Sequence, residues 1–193
     1  MKRIYLIAIS LLVCISCNST KTTVTETNEN KAEGAVAQSS EKPAPKPKTM
    51  LLGKEDRSAL EVAPFDAWYN RSYASYTVKE DQKEDITKGL KGVTITTFMG
   101  TWCGDSKRET PRMFKILDQT GFDEQDLELI TVDRSKRNPK EYTEGKDIRR
   151  VPTFIFKKDG EEIGRIVERP VESLEEDMVK ILNGEPYKHA YEH

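Results

Sequence analysis

The chain has 193 residues, and its 31 lysines and arginines nearly balance 33 aspartates and glutamates for a net charge of −2. No strong overall field therefore directs it to nucleic acid or to an acidic partner. Three cysteines and two histidines, the latter both in the last five residues, do not supply the converging ligands that a metal site needs.

Met1-Lys2-Arg3 forms a short positive region, and Ile4 to Ile15 is a continuous apolar run, too short for a bilayer span of about 20 residues. It reads as an export signal. Val13-Cys14-Ile15-Ser16-Cys17 resembles a bacterial lipoprotein cleavage box, which implies lipidation of Cys17, although Cys14 stands where leucine is more usual. The alternatives are plain signal-peptidase cleavage and an uncleaved anchor. Residues 18–48 contain no aromatic residue and are dominated by polar and small side chains, a composition that cannot bury enough surface to fold. They read as a disordered tether, stiffened by Pro43-Ala44-Pro45-Lys46-Pro47, that spans on the order of 30 Å. Asn18 and Ser19 resemble sorting residues for the outer membrane, so the expectation is a cell-envelope protein held there by its lipid and facing the periplasm. Cleavage would remove Cys14 and lipidation would consume Cys17, leaving Cys103 as the one free thiol where disulfides persist.

Residues 49–193 are enough for one ordinary domain. Phe65, Trp68, Tyr69, Tyr73 and Tyr76 recur at spacings of one, three or four, which predicts one face of a helix started by Pro64 and packed on a sheet. Stacking or peptide binding is the other use of such a stripe. A short helix through Ile86 and Leu90 follows, and Gly92 opens an apolar, β-branched strand from Val93 to Met99. A helix is predicted from Gly104 to Asp118, with Met113, Phe114, Ile116 and Leu117 on its apolar face. Cys103 then lies at a helix N-terminus, where unpaired N–H groups and the helix dipole favour a thiolate over a thiol. The inert alternative is a buried thiol, common for free cysteine. Further on come a strand from Leu129 to Val132, a polar loop Lys136 to Gly145 leading into a helix, strands Thr153 to Phe156 and Glu162 to Val167 joined by Lys158-Asp159-Gly160, and a helix from Ser173 or Leu174 to Leu182. The charge clusters Lys79 to Asp85 and Glu172 to Asp177 read as solvated helix surface, and His189 and His193 fall in a tail expected to be mobile.

Trp102-Cys103-Gly104, Pro111 eight residues after the cysteine, and Val151-Pro152-Thr153 before a strand together resemble the thioredoxin superfamily over roughly residues 93–182. The resemblance implies an α/β fold with a central mixed sheet and helices on both faces. It also implies that Cys103 is a nucleophile set between Trp102 and Gly104, that Pro152 is a cis-proline facing it, and that the backbone of Val151 pairs with substrate. Two positions depart from the dithiol pattern: Ser106 replaces the resolving cysteine, and Thr97 replaces a buried aspartate that handles its proton. Ser106, one helical turn from Cys103, is placed to donate a hydrogen bond to the thiolate; Asp105 opposes thiolate formation, and Lys107 and Arg108 offset it. The expected function is thiol–disulfide exchange by a single cysteine on cysteine-containing exported proteins, with release by a substrate thiol or an external reductant and no cofactor. The alternative is a peptide-binding module that keeps the fold without the chemistry. A peroxide-reducing site is disfavoured because Thr101 and Arg108 do not have its spacing.

Overall fold

The structure, a computed structural model, describes residues 49–192. The elements are β1 (Gly53–Glu55), a 3-10 turn (Arg57–Leu60), α1 (Asp66–Ser75), α2 (Glu80–Gly89), β2 (Val93–Met99), α3 (Gly104–Gln119), β3 (Leu127–Thr131), α4 (Lys140–Thr143), β4 (Thr153–Lys158), β5 (Glu161–Val167) and α5 (Leu174–Leu182). The five strands form one sheet in the order β1-β3-β2-β4-β5. Only β2 and β3 are parallel, with Thr97 opposite Leu129. Parallel strands need a long crossover, and α3 provides it.

Side chains alternate across β2 and create two cores. Ile95 and Met99 join Leu129, Phe154, Phe156 and Ile166 under α3 and α5, whose Met113, Phe114, Met178 and Ile181 are fully buried. Phe98 points the other way, into a smaller cluster with Ile130, Val132, Ile148, Val151 and Ile155. Tyr142 of the four-residue α4 packs on that second cluster, and so do Trp102 and Cys103. The mixed sheet with helices on both faces is therefore present but unevenly covered.

Local chemistry explains the boundaries. β4 and β5 are joined by Asp159 and Gly160 at φ of 51° and 83°, the left-handed pair that a two-residue hairpin of right-twisted strands requires. β1 lies outside the sequence prediction because Gly-Lys-Glu has no hydrophobic period; Gly53 adopts φ 103°, and its carbonyl accepts from Thr131 Oγ1 at 3.2 Å.

The aromatic stripe differs from expectation. α1 begins at Asp66 rather than at Pro64, and its packing partner is α3 rather than the sheet. Tyr76 lies beyond the helix in extended backbone because its hydroxyl donates to Glu175 Oε2 at 2.7 Å. Arg57 fastens the stripe: Nε donates to the Tyr69 hydroxyl at 2.7 Å, the other two nitrogens reach both Asp118 oxygens at 2.6 and 2.5 Å, and the guanidinium lies 5.0 Å from the Phe114 ring centroid. Burial pushes the Tyr69 hydroxyl up to about 12, against the opposing pull of Arg57. Burial also pushes the Asp118 carboxyl up, but hydrogen bonds from Arg57 and Tyr73 outweigh it and hold the group below its ordinary range.

The acidic cluster near α5 is not solvated surface throughout. Glu175 and Asp177 are both 0% exposed, and the tail folds back onto Asp177 through the Tyr187 hydroxyl at 2.9 Å.

Candidate active site

Cys103 stands at the carboxyl end of β2 as the N-cap of α3, in extended backbone, with its carbonyl accepting from Lys107 N at 3.1 Å. A tight turn delivers it there, because Cys103 N donates to Gly100 O at 2.9 Å. The neighbouring Gly100 N donates to Ser106 Oγ at 3.2 Å, and Ser106 is fully buried. Thr101 Oγ1 accepts from Leu51 N at 3.3 Å, which ties the turn to the start of the domain.

Sequence reasoning paired Ser106 with Cys103, and the structure does not. The Ser106 hydroxyl braces the turn through Gly100, whereas Cys103 Sγ donates to the carbonyl of Val151 at 3.2 Å. The Val151–Pro152 peptide is cis, and both residues are buried. Cys103 is half-buried, and Gly104 beside it is exposed, with no atom within 4 Å of where a Cβ would sit. The sulfur thus sits beside the Val151 carbonyl, with open space over Gly104. Thr97 is fully buried, and its hydroxyl has no hydrogen-bond partner among the described residues, so it does not handle protons for the site.

Trp102 forms the next wall. Its Nε1 donates to Val132 O at 2.9 Å, and the Arg134 guanidinium lies 5.2 Å from its ring centroid. Gly100 leaves room for the indole, since a Cβ there would lie 2.5 Å from Trp102 Cε2. Gly100→Ala is expected to displace the ring, break the bond to Val132 and destabilise the domain by about 1–3 kcal/mol. Chemical unfolding together with Trp102 emission in a Trp68→Phe background checks this.

The loop after β3 is built on Asp133. Its carboxylate accepts from Ser135 Oγ, the amides of Arg137 and Asn138, and Asn138 Nδ2 at 2.9 Å. The bonds from Asn138 and Ser135 hold its carboxyl down at about 2. A depressed folded value means the contribution is fully present above the ordinary carboxylate range and is lost as pH falls through about 2. Amide exchange protection at Arg137 and Asn138 is therefore expected to persist at pH 4 and to disappear near pH 2, and Asp133→Ala is expected to remove it at neutral pH.

Three contributors, Arg150, Glu168 and Tyr191, were missed by sequence reasoning. Glu168 N donates to Pro152 O at 2.6 Å, and the Glu168 carboxylate accepts from Arg150 at 3.2 Å and from the Tyr191 hydroxyl. The Arg150 guanidinium lies 3.9 Å from the Tyr191 ring centroid. The tail expected to be mobile is thus folded against the segment that carries Val151. His189 is half-buried, and its Nδ1 accepts from Tyr191 N at 3.2 Å, while His193 lies outside the described residues. No single sequence signal marks this contact, because Arg150, Glu168 and Tyr191 belong to three separate segments.

Among the described residues no group of three or more histidine, cysteine, aspartate or glutamate side chains is placed to hold a metal ion.

Comparison with known proteins agrees with this geometry. The family model described as thioredoxin matches residues 65–182. A thioredoxin of Malassezia sympodialis is 34% identical over 87 residues, covering 45% of this chain and 78% of that protein. A thioredoxin of Listeria monocytogenes is 32% identical over 94 residues, covering 48% of this chain and 85% of its own length. The 1.5 Å crystal structure of a Pseudomonas aeruginosa protein of unknown function superposes with a TM-score of 0.51 at 16% identity, covering 68% of this chain and 93% of that one, a likeness of fold alone. These relatives support a thiol–disulfide redox function in general terms. A family match spanning more than half of the sequence, together with a cysteine at a helix N-terminus opposite Val151-Pro152, establishes that the chain belongs to the thioredoxin family.

Proposed function

We propose that the protein performs thiol–disulfide exchange with Cys103 alone, on cysteine-containing exported proteins, while tethered to a membrane through a lipid on Cys17. The observation that carries the chemistry is the half-exposed Cys103 thiol at the α3 N-terminus, directed at the Val151 carbonyl beside Pro152. In the first step the thiol loses its proton to solvent. The thiolate then attacks one sulfur of a substrate disulfide, so that a Cys103–substrate disulfide forms and the other substrate sulfur leaves as a thiolate. Val151 and Pro152 would align the substrate backbone, and exposed Gly104 would leave the approach open. With Ser106 in place of a resolving cysteine, a second thiol must attack the mixed disulfide and regenerate Cys103. If that thiol is the substrate's own, the result is isomerisation; if it belongs to an external reductant, the substrate is reduced and the reductant oxidised.

The anchor rests on the sequence, because residues 1–48 lie outside those described. The positive start, the short apolar run, the Ser16-Cys17 pair and the polar segment that follows support export, lipidation at Cys17 and an outer-membrane position facing the periplasm. Among the described residues no helix is long and apolar enough to cross a membrane.

Because nothing within the domain resolves the intermediate, the wild-type chain is expected to accumulate mixed disulfides in cells. Acid quenching and non-reducing electrophoresis should show adducts that vanish with reductant and with Cys103→Ser. Partners that co-purify equally well with Cys103→Ala would replace the enzyme by a binding module. Fatty-acid labelling that Cys17→Ala abolishes tests the anchor separately.

A further inference from the structure

The balanced charge of the whole chain hides a local asymmetry around Cys103. The sulfur lies at the start of α3 and faces the residue before Pro152, and the chain after β3 reaches the adjoining Trp102 through Val132 and Arg134. Arg108 and Arg150 are paired with Asp105 and Glu168 at 2.6 and 3.2 Å. Lys107 and Arg134 make no ion pair among the described residues, although the chain as a whole carries more acid than base. Arg134 is exposed, and its guanidinium rests over the indole next to Cys103. Lys107 lies one turn into α3, its amide bonded to the Cys103 carbonyl and its Nζ 5.9 Å from the Trp68 ring centroid. The one carboxylate within the loop after β3, Asp133, faces inward to its own loop amides and hydroxyl.

We infer that this site selects disulfides flanked by acidic residues, with unpaired Lys107 and Arg134 drawing in acidic peptide segments and Arg134 holding them beside Trp102. The inference rests on the exchange chemistry proposed above. A guanidinium stacked on an indole keeps its N–H groups free for a carboxylate, with little side-chain freedom left to lose. Charges on an interface rim act mainly on the encounter rate and its salt dependence.

The test measures mixed-disulfide formation between the full chain and three synthetic peptide disulfides that differ only in glutamate, serine or lysine flanks, with Cys103→Ser as the background for Cys14 and Cys17. The glutamate peptide is expected to react roughly 10-fold faster than the lysine peptide at low salt. The gap is expected to close near 1 M salt, where the screening length falls to about 3 Å. Lys107→Glu with Arg134→Glu should reverse the order. Equal rates for all three peptides, or an order that the double variant leaves unchanged, would overturn the inference while leaving exchange itself intact. No reaction with any peptide, the serine one included, would instead sink the exchange reading on which it stands.

Discussion

Cys103→Ala in the full chain is expected to lower disulfide reshuffling of a scrambled substrate to the uncatalysed thiol background while leaving the domain folded. The fold has little at stake there, because the sulfur is half-buried and makes one hydrogen bond, to Val151 O. Loss of that contact costs roughly 1 kcal/mol or less, a small shift in a denaturation curve. The proposed exchange depends on this sulfur, since no second cysteine exists among the described residues. Cys103→Ser keeps a donor for the Val151 carbonyl and separates docking from bond exchange: it should bind disulfide-bearing partners and form no mixed disulfide with them. The complementary substitution, Ser106→Cys, places a second thiol three residues along the same helix face. It is expected to shorten the mixed-disulfide lifetime by roughly tenfold or more, because resolution becomes intramolecular. Residual reshuffling in Cys103→Ala above that of a buffer control would show that another group carries the activity.

The residues legible in the sequence were those whose local chemistry is self-contained. The β-branched run of β2, the apolar face of α3 and the Asp159-Gly160 turn each announce their conformation within a few neighbours, and each lies within two residues of its predicted position. The cysteine at the strand-to-helix junction was legible for the same reason. What escaped were groups whose meaning depends on partners far along the chain. Ser106 reads as a donor to Cys103 by helical spacing, yet the buried amide of Gly100 claims its oxygen, because an unpaired N–H inside a turn is costly. α1 reads as a cover for the sheet, but Arg57 and Asp118, 61 residues apart, draw it onto α3. β1 carries no pattern at all and exists because β3 offers it an edge.

Asp177 is the sharpest case of that blindness and carries the largest expected effect on stability. In sequence it belongs to a run of acids that composition assigns to solvent. In the fold it is 0% exposed and accepts from Val171 N at 2.7 Å, Glu172 N at 3.2 Å and the Tyr187 hydroxyl at 2.9 Å. Burial and the adjacent Asp177 charge push the Tyr187 hydroxyl above its ordinary range, which keeps it protonated and donating. Hydrogen bonds to a charged acceptor contribute about 1.5–3 kcal/mol each and are not additive within one carboxylate, so Asp177→Ala is expected to cost about 3–5 kcal/mol in chemical unfolding. Asp177→Asn retains one acceptor and should cost less, while Tyr187→Phe removes a single bond and should cost least. The effect is expected to reach the active site, because the residues after Tyr187 carry Tyr191 to Arg150, next to the Val151 carbonyl that faces Cys103. Hydrogen exchange in Asp177→Asn should therefore show lost protection at Val171 and Glu172 and, beyond them, at Tyr191, with slower capture of peptide disulfides. An unfolding free energy for Asp177→Ala within about 1 kcal/mol of the parent would show that the carboxylate is not the tie between α5, the tail and the site.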